Sequence, residues 1–154
     1  MGGLVIRAQG MLEDANKADA VIVGSGVMTR DIIKDESIMT RISLNPSSQI
    51  IGAQCSGTLM LAKLGILGGT PACTDSSTKP WVLEAGIEIL NQPLFAKDNV
   101  ATAGGCLSSA YLSAWVIAKL DNIETAKKAL HYFAPIGEKD EFVEKAVKNI
   151  APYL

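Results

Sequence analysis

The sequence lacks several features that would assign the chain to other classes of protein. No stretch approaches the ~20 uninterrupted apolar residues that a membrane-spanning helix requires. Charges and glycines interrupt the N-terminus too early for a signal peptide. The net charge is −2 and no Lys/Arg cluster occurs, so we expect neither a membrane nor a nucleic acid as a partner.

Cysteine and histidine are scarce, and their positions argue against a metal site. The three cysteines are widely spaced and form no CxxC pair, while His131 is the single histidine. Reduced thiols in a cytoplasmic protein fit this pattern better than a disulfide framework or a zinc site. Gly24–Gly26 lacks the lysine and the full spacing of a P-loop. We therefore expect no metal and no other cofactor.

Short apolar segments alternate with segments of helical spacing. Strands are predicted at Ala20–Val23, Gln49–Ala53 and Asn99–Thr102, since each is short and bounded by glycine or polar residues. Helical spacing predicts two short helices between residues 29 and 44, and longer ones at Gly57–Leu67, Ser108–Leu120 and Glu138–Ile150. The alternation predicts a single α/β domain over residues 1–154: a doubly wound parallel sheet with helices on both faces.

The start of the chain departs from this pattern. Gly2–Gly10 resembles a peripheral strand or hairpin arm, and the first core strand is predicted only at Ala20. A doubly wound domain usually opens with a core strand and a helix. We therefore expect the domain to be N-terminally incomplete, without its first βα unit.

Cys55 lies at the joint between a predicted strand and a predicted helix. The small residues Ala53 and Gly57 flank it two positions away on either side, which is the spacing of a nucleophile elbow. Such a turn presents the nucleophile at the carboxyl edge of the sheet. The helix N-terminus predicts a lowered pKa for Cys55, and the Ser56 N–H is well placed to bind an oxyanion.

The same spacing also fits a buried structural cysteine in a tight turn, because cysteine is among the most buried residue types. Both interpretations of Cys55 stay open on spacing alone. Cys73 and Cys106 have no comparable setting and are interpreted as core or loop thiols. Trp81 and Trp115 are interpreted as packing residues.

Three segments match the pattern of one known family in order and in separation. Around Cys55, AQCSGTLMLAKLGILGG has A-x-C-x-G followed by a leucine-rich helix that ends in G-x-L-x-G. Upstream, Asp19–Gly26 (DAVIVGSG) has a strand that ends in a glycine-containing loop, and downstream Asn99–Gly105 (NVATAGG) has a strand and a glycine-rich turn. Together these segments, over residues 10–120, resemble the ThiJ/PfpI family of the class I glutamine amidotransferase-like superfamily.

The resemblance implies a flavodoxin-like fold, a homodimer and Cys55 as the nucleophile. It also implies an oxyanion hole formed by the backbone N–H groups of Gly26 and Ser56. Branches with protease or glyoxalase activity often carry histidine directly after the cysteine or in the loop after the next strand. Here Ser56 and Asp75 stand at those positions, which resembles the isocyanide hydratases and the amidase-like domains of transcription regulators.

The remaining polar candidates are weaker. Asp75 is a candidate site residue, although Asp at the start of a Ser-rich loop is more often a cap or turn former. His131 lies in a C-terminal helical region and is interpreted as a surface or helix-packing residue. In the hydratases the partner acid comes from the N-terminal βα unit, which this chain is expected to lack.

These observations favour a cysteine-dependent hydrolase or hydratase that acts on a small molecule, and they argue against a general protease. Two alternatives from other classes stay open. One is a non-catalytic, thiol-based stress or redox sensor. The other is the ligand-binding domain of a regulator whose DNA-binding part lies elsewhere.

Overall fold

A computed structural model describes residues 5–154 of the chain. Residues 5–10 form neither strand nor helix, and a short 3-10 helix follows at Leu12–Lys17. The strand or hairpin arm expected over Gly2–Gly10 is therefore wrong for residues 5–10, and residues 2–4 lie outside the described part. Val5 and Ile6 are exposed rather than packed on the sheet.

The four strands of the sheet are β1 (Ala20–Val23), β2 (Ile50–Gln54), β3 (Leu94–Lys97) and β4 (Val100–Ala103). Their order across the sheet is β1-β2-β4-β3. β1, β2 and β4 run parallel, and β3 runs antiparallel to β4. The three predicted strands are confirmed to within one residue at each end, whereas β3 was not predicted.

β3 and β4 form a hairpin that closes one edge of the sheet. Asp98 and Asn99 make the two-residue turn between them, and Asp98 has a φ of 55°. Asp and Asn tolerate this left-handed conformation and are typical of short hairpin turns. The sheet is therefore mixed rather than wholly parallel, with one antiparallel edge strand on a doubly wound arrangement.

The helices lie between and after the strands. Their bounds are α1 (Thr29–Ile32), α2 (Glu36–Met39), α3 (Gly57–Lys63), α4 (Lys79–Glu84), α5 (Ser109–Leu120), α6 (Ile123–Phe133) and α7 (Lys139–Ile150). The two short helices predicted between residues 29 and 44 are confirmed. The helix after β2 ends earlier than predicted, at a turn that contains Gly65 with a φ of 74°. α4 and α6 were not predicted as separate helices.

Helices cover both faces of the sheet, and each face has its own core. Within β2, Ile51 and Ala53 pack in the core that contains α3, whereas Gly52 lies against Leu112 of α5. α5, α6 and α7 pack together around the fully buried Trp115. A parallel strand with apolar contacts on both sides is what such a layered arrangement requires.

The observed architecture is the predicted α/β fold. It brings the carboxyl ends of β1, β2 and β4 to one edge of the sheet, where the loops that follow them meet. Within residues 5–154, no helix combines the length and the apolar character needed to cross a membrane.

Candidate active site

Cys55 occupies the sharp turn between β2 and α3. Its φ is 50°, a left-handed conformation that costs a residue with a side chain on the order of 1–3 kcal/mol. Two hydrogen bonds hold this backbone. The Cys55 N–H donates to the Ala103 carbonyl at 2.8 Å, and the Cys55 carbonyl accepts from Thr74 Oγ1 at 2.8 Å. The turn thus has the geometry of a nucleophile elbow.

Gly57 allows the elbow to approach β1. A Cβ at this position would lie 2.3 Å from the Val23 carbonyl oxygen, a distance at which the backbone would have to move. Ala53, on the other side of Cys55, is fully buried. The small residues that flank the cysteine in the sequence are therefore required by close packing at the turn.

The Cys55 thiol is buried, with 3% of the residue exposed. Burial raises the pKa of Cys55 above its ordinary value, and the hydrogen bond that Gln54 donates opposes this rise. A backbone hydrogen bond from Gly105 also lowers the pKa, while the charges of Asp75 and Cys106 raise it further. The lowered pKa expected for Cys55 is therefore wrong, because desolvation outweighs the donors around the thiol.

Gln54 links the elbow to the loop after β4. Its Nε2 donates to Cys55 Sγ at 3.2 Å and to the Gly105 carbonyl at 2.9 Å. Its Oε1 is buried and has no hydrogen-bond partner among the described residues. An unpaired buried acceptor is costly, and Oε1 is thus an acceptor beside the thiol that residues 5–154 leave unused.

Ser56 and Gly26, two of the predicted site residues, contact each other. The Gly26 N–H donates to Ser56 Oγ at 3.0 Å, and Thr29 Oγ1 lies 3.0 Å from the same oxygen. The Gly26 N–H is therefore engaged by the protein itself. The Ser56 N–H makes no hydrogen bond within residues 5–154, so it is the backbone donor beside Cys55 that stays available to a ligand.

Asp75 shapes the loop that leads to α4. Its Oδ1 accepts from the backbone N–H groups of Ser77 at 2.9 Å and Thr78 at 3.0 Å. Its Oδ2 accepts from Thr78 Oγ1 at 2.6 Å. The carboxylate therefore acts as a turn former, as its sequence context indicates, and it also reaches the surroundings of Cys55.

Cys55 opens onto a cavity of about 660 Å³ at the carboxyl edge of the sheet. We call it the thiol cavity. Its walls come from the loop after β1, the elbow, the loop before α4 and the loop after β4, and they include Ser25, Gly26, Val27, Thr29, Arg30, Cys55, Ser56, Leu59, Asp75, Ser77, Thr78, Trp81 and Cys106. All four predicted site residues are among them.

Two residues of this cavity, Trp81 and Cys106, have surroundings that were not predicted from the sequence. Trp81 is not simply a packing residue, because the Arg30 guanidinium lies 3.8 Å from its ring centroid and both line the cavity. Cys106 is an exposed loop thiol, as expected, but it shares the cavity with Cys55. The interpretation of Trp115 as a packing residue is confirmed by its complete burial.

His131 and Cys73 lie outside the thiol cavity. His131 is an exposed residue of α6, and its Nε2 lies 3.9 Å from Asp140 Oδ1. Cys73 is fully buried, and burial raises its pKa to about 12. Both residues therefore match their interpretation as a surface histidine and a core thiol.

Four features of the site were not predicted: Thr29, Arg30, Gln54 and the position of Cys106. Thr29 and Arg30 follow β1, and Cys106 follows β4. Because β1, β2 and β4 are parallel neighbours, the loops after them meet beside Cys55. Grouping the polar residues that follow each predicted strand would have found all but Gln54, which lies within β2 itself.

The fold is shared with solved structures of DJ-1/ThiJ/PfpI proteins. Schizosaccharomyces pombe DJ-1 matches with a TM-score of 0.62 at 19% identity, over 76% of this chain and 64% of that one. Oxidized Toxoplasma gondii DJ-1 matches with a TM-score of 0.70 at 17% identity, over 85% of this chain and 73% of that one. The chain therefore has the DJ-1/ThiJ/PfpI fold, which is flavodoxin-like as predicted.

A third solved structure is a two-domain protein from Anabaena variabilis with DJ-1/ThiJ/PfpI-like and ferritin-like domains. It matches with a TM-score of 0.69 at 19% identity, over 80% of this chain but 36% of that one. The chain thus spans less than two thirds of the length of this protein and of S. pombe DJ-1. No family sequence profile and no curated protein matches the chain.

Proposed function

We propose that the chain is a ThiJ/PfpI-type hydrolase or hydratase that acts on a small electrophilic molecule through Cys55. The observation that carries the proposal is the strained Cys55 backbone, with φ at 50°, beside a cavity of about 660 Å³. Non-glycine residues persist in this conformation where the surrounding structure holds them, and such sites cluster at catalytic centres. Cys73, which is equally buried, has neither feature.

In the proposed reaction, Cys55 attacks an electrophilic carbon as a thiolate. Because the pKa of Cys55 is raised, the thiol has to lose its proton to a base when substrate is bound. Asp75 Oδ2 accepts one hydrogen bond and retains one free acceptor position. Asp75 is therefore the proposed proton acceptor among the residues of the thiol cavity.

The proposed adduct develops negative charge beside the elbow. The free Ser56 N–H supports this residue as the main backbone donor to that charge. For the Gly26 N–H to contribute, it would have to exchange Ser56 Oγ for the adduct. In a hydrolysis the leaving group departs with the proton taken from Cys55, whereas in a hydration that proton adds to the substrate. Water then attacks the adduct carbon, the C–S bond breaks, and the sulfur takes a proton from that water to return the thiol.

The absence of histidine from the walls of the thiol cavity supports the isocyanide hydratase-like branch over the protease-like one. Cleavage of a peptide requires proton delivery to a poor leaving amine. A hydratase adds water without expelling a leaving group and makes no such demand. We therefore propose isocyanides as the substrates to test first, with general protease activity absent.

The test is turnover of an aryl isocyanide to the corresponding formamide, followed by mass spectrometry, with small esters, amides and casein in parallel. We expect formamide from the wild-type chain and none from Cys55→Ala. Asp75→Asn keeps Oδ1 for the turn and should lower turnover by 10²–10⁴-fold if Asp75 is the base. Cys73→Ala is the matched control. Equal turnover by Cys55→Ala and wild type would overturn the proposal.

A second candidate function, a thiol-based redox sensor, is favoured by the position of Cys106 in the thiol cavity. A hydroperoxide would transfer an oxygen atom to the Cys55 thiolate, giving a sulfenic acid and an alcohol, or water from hydrogen peroxide. The Cys106 thiolate would then attack the Cys55 sulfur. This forms a disulfide and releases hydroxide, which takes up a proton.

Peptide mapping after hydrogen peroxide treatment separates this candidate from the enzyme. Trypsin places Cys55 in residues 42–63 and Cys106 in residues 98–119, so a disulfide would link two identifiable peptides. We expect this link in the wild-type chain and a sulfenic or sulfinic Cys55 in Cys106→Ala. If both proteins give the same oxidation products, Cys106 does not resolve an oxidised Cys55.

We also propose a homodimer. Apolar side chains are exposed on the loops at the carboxyl edge of the sheet, with Val27 at 73%, Met28 at 56% and Leu107 at 91%. A cluster of this kind favours self-association. Light scattering should give a dimer at micromolar concentration and a monomer for Leu107→Asp. A stable wild-type monomer would contradict the proposal.

A further inference from the structure

Arg30 is the one cation among the residues that line the thiol cavity. Its guanidinium stacks on Trp81, with 3.8 Å between Arg30 Cζ and the ring centroid. Stacking of this kind holds the planar group in place and leaves its N–H donors at the edge free. Within residues 5–154, no carboxylate lies within ion-pairing distance of Arg30.

The backbone that carries Arg30 is tied to the elbow. Thr29, the preceding residue, is buried, and its Oγ1 lies 3.0 Å from Ser56 Oγ and donates to the Gly26 carbonyl at 2.8 Å. Ser56 directly follows Cys55. The position of Arg30 relative to the thiol is therefore fixed through one buried side chain rather than by a free loop.

Trp81 is tied to the same elbow through a different segment of the chain. It belongs to α4, and the loop before α4 begins at Thr74, whose Oγ1 donates to the Cys55 carbonyl at 2.8 Å. Asp75 then braces that loop through Ser77 and Thr78. The two partners of the cation–π pair thus come from two segments that are each anchored to the Cys55 turn.

The other charge on the cavity wall is Asp75. Both of its carboxylate oxygens already accept hydrogen bonds from Ser77 and Thr78. Among the described residues, the Arg30 guanidinium pairs with no carboxylate. It is therefore the charged group of the cavity that neither the fold nor the proposed reaction uses. A guanidinium in a fixed position matches a carboxylate with two parallel hydrogen bonds.

We propose that Arg30 is a specificity-determining residue that selects substrates bearing a carboxylate and orients them towards Cys55. This inference rests on the proposed function, because it takes Cys55 as the reacting group. It narrows the substrate class to small electrophilic molecules that carry a carboxylate. Trp81 acts as a positioning residue for the guanidinium.

Iodoacetate and iodoacetamide make a direct probe, because they alkylate the same thiol and only the first carries a carboxylate. The measured quantity is the ratio of their rate constants at Cys55, read from the tryptic peptide 42–63. We expect Arg30→Met to lower the iodoacetate-to-iodoacetamide ratio about tenfold, the effect of losing one charge-assisted hydrogen bond. Arg30→Lys keeps the charge without the fork and should fall between.

Lys34→Met is the matched control. It removes an equal charge four residues further along. Lys34 lines an adjacent cavity, which Arg30 and Trp81 also line, but it does not line the thiol cavity. Its ratio should stay within about twofold of the wild type, because Lys34 is exposed to screening solvent and does not line the thiol cavity. If Lys34→Met and Arg30→Met change the ratio equally, or neither changes it, the proposal is overturned.

A second measurement covers a Cys55 that resists both reagents. The indole N–H resonance of Trp81 is followed by NMR while acetate, or acetamide as its neutral analogue, is titrated into wild type and Arg30→Met. A shift with acetate alone that disappears in Arg30→Met supports the carboxylate site even if the proposed Cys55 chemistry fails. Reaction at Cys55 with an unchanged ratio and no acetate shift overturns the site and leaves the Cys55 chemistry standing.

Discussion

Cys55 and Cys73 are both buried thiols near the carboxyl edge of the sheet, and they differ in backbone conformation and in access to a cavity. Burial raises the pKa of each. The backbone of Cys73 is fully paired, since its N–H donates to Thr102 Oγ1 and its carbonyl accepts from Thr58 Oγ1, both at 2.8 Å. The Cys55 backbone is paired as well, with Ala103 and Thr74, but it is strained, and the neighbouring Gln54 Oε1 has no partner among the described residues.

Burial and a raised pKa are common to both thiols, so neither property distinguishes the proposed nucleophile, Cys55, from Cys73. What differs is local conformation and access: Cys55 has a left-handed backbone and lines a cavity, while Cys73 has neither. Backbone strain and an unpaired buried acceptor both lower the stability of the folded chain. Such features are typical of functional sites, where local geometry serves activity rather than stability. The same kind of substitution should therefore change the free energy of unfolding differently at Cys55 and at Cys73.

The largest expected effect is at the glycine that permits the elbow. In Gly57→Ala, the new Cβ would meet the Val23 carbonyl oxygen at 2.3 Å. Forcing the strand and the turn apart should lower the free energy of unfolding by about 2–3 kcal/mol. Urea denaturation measures the loss, and alkylation of Cys55 reports the displaced thiol.

Gly24→Ala is the control for that substitution. A Cβ at Gly24 has no atom within 4 Å, so the free energy of unfolding should change by less than about 0.5 kcal/mol. If Gly57→Ala is as harmless as Gly24→Ala, the elbow is not held by contact with β1. Close packing at Gly57 would then not explain why the backbone differs between Cys55 and Cys73.

The elbow itself was predictable from the sequence for the same steric reason. A tight strand-to-helix turn is predicted by the spacing of Ala53, Cys55 and Gly57. Short apolar runs predict β2 and its neighbours β1 and β4. The hairpin strand β3 was missed because it contains no β-branched residue and directly follows Pro93. Its turn, Asp98–Asn99, could have been predicted, because Asp and Asn are typical of turn positions with a positive φ.

The electrostatics of the site could not be predicted in the same way. Position at a helix start suggested a lowered pKa for Cys55, but the helix is short and the thiol is buried, so desolvation dominates. Burial depends on how distant segments close over the turn. The pairing of Arg30 with Trp81 likewise joins two loops that are far apart in the sequence, and no local pattern encodes it.

An intermediate effect is expected from the pH dependence of stability. Cys73 keeps its proton to about pH 12 in the folded chain, whereas an unfolded thiol loses it near ~8.5. Its contribution is therefore full below ~8.5 and declines as pH rises above that value, by about 1.4 kcal/mol per pH unit. Between pH 7.5 and 10, the free energy of unfolding should fall by about 2 kcal/mol less in Cys73→Ala than in the wild type.

Urea unfolding at the two pH values makes that comparison. The substitution also leaves a small cavity, which lowers stability equally at both values and cancels in the difference. Cys106→Ala, which removes an exposed thiol, is the control. Identical losses for wild type and Cys73→Ala would mean that the Cys73 thiol ionises readily in the folded chain.

The smallest expected effect is also the sharpest, because its sign reverses between the two cysteines. Among the described residues other than glycine, only Cys55 and Asp98 have a positive φ. A left-handed conformation costs alanine about 1–2 kcal/mol more than glycine, which outweighs the extra chain entropy that glycine gives the unfolded state. Cys55→Gly should therefore be more stable than Cys55→Ala by about 0.5–1 kcal/mol.

At Cys73 only the entropy difference applies, so Cys73→Gly should be less stable than Cys73→Ala by about 0.4–1 kcal/mol. Urea denaturation of the four variants gives both differences. The same sign at both positions would show that the Cys55 backbone is not strained, and it would remove the main physical distinction between the proposed nucleophile and the structural thiol.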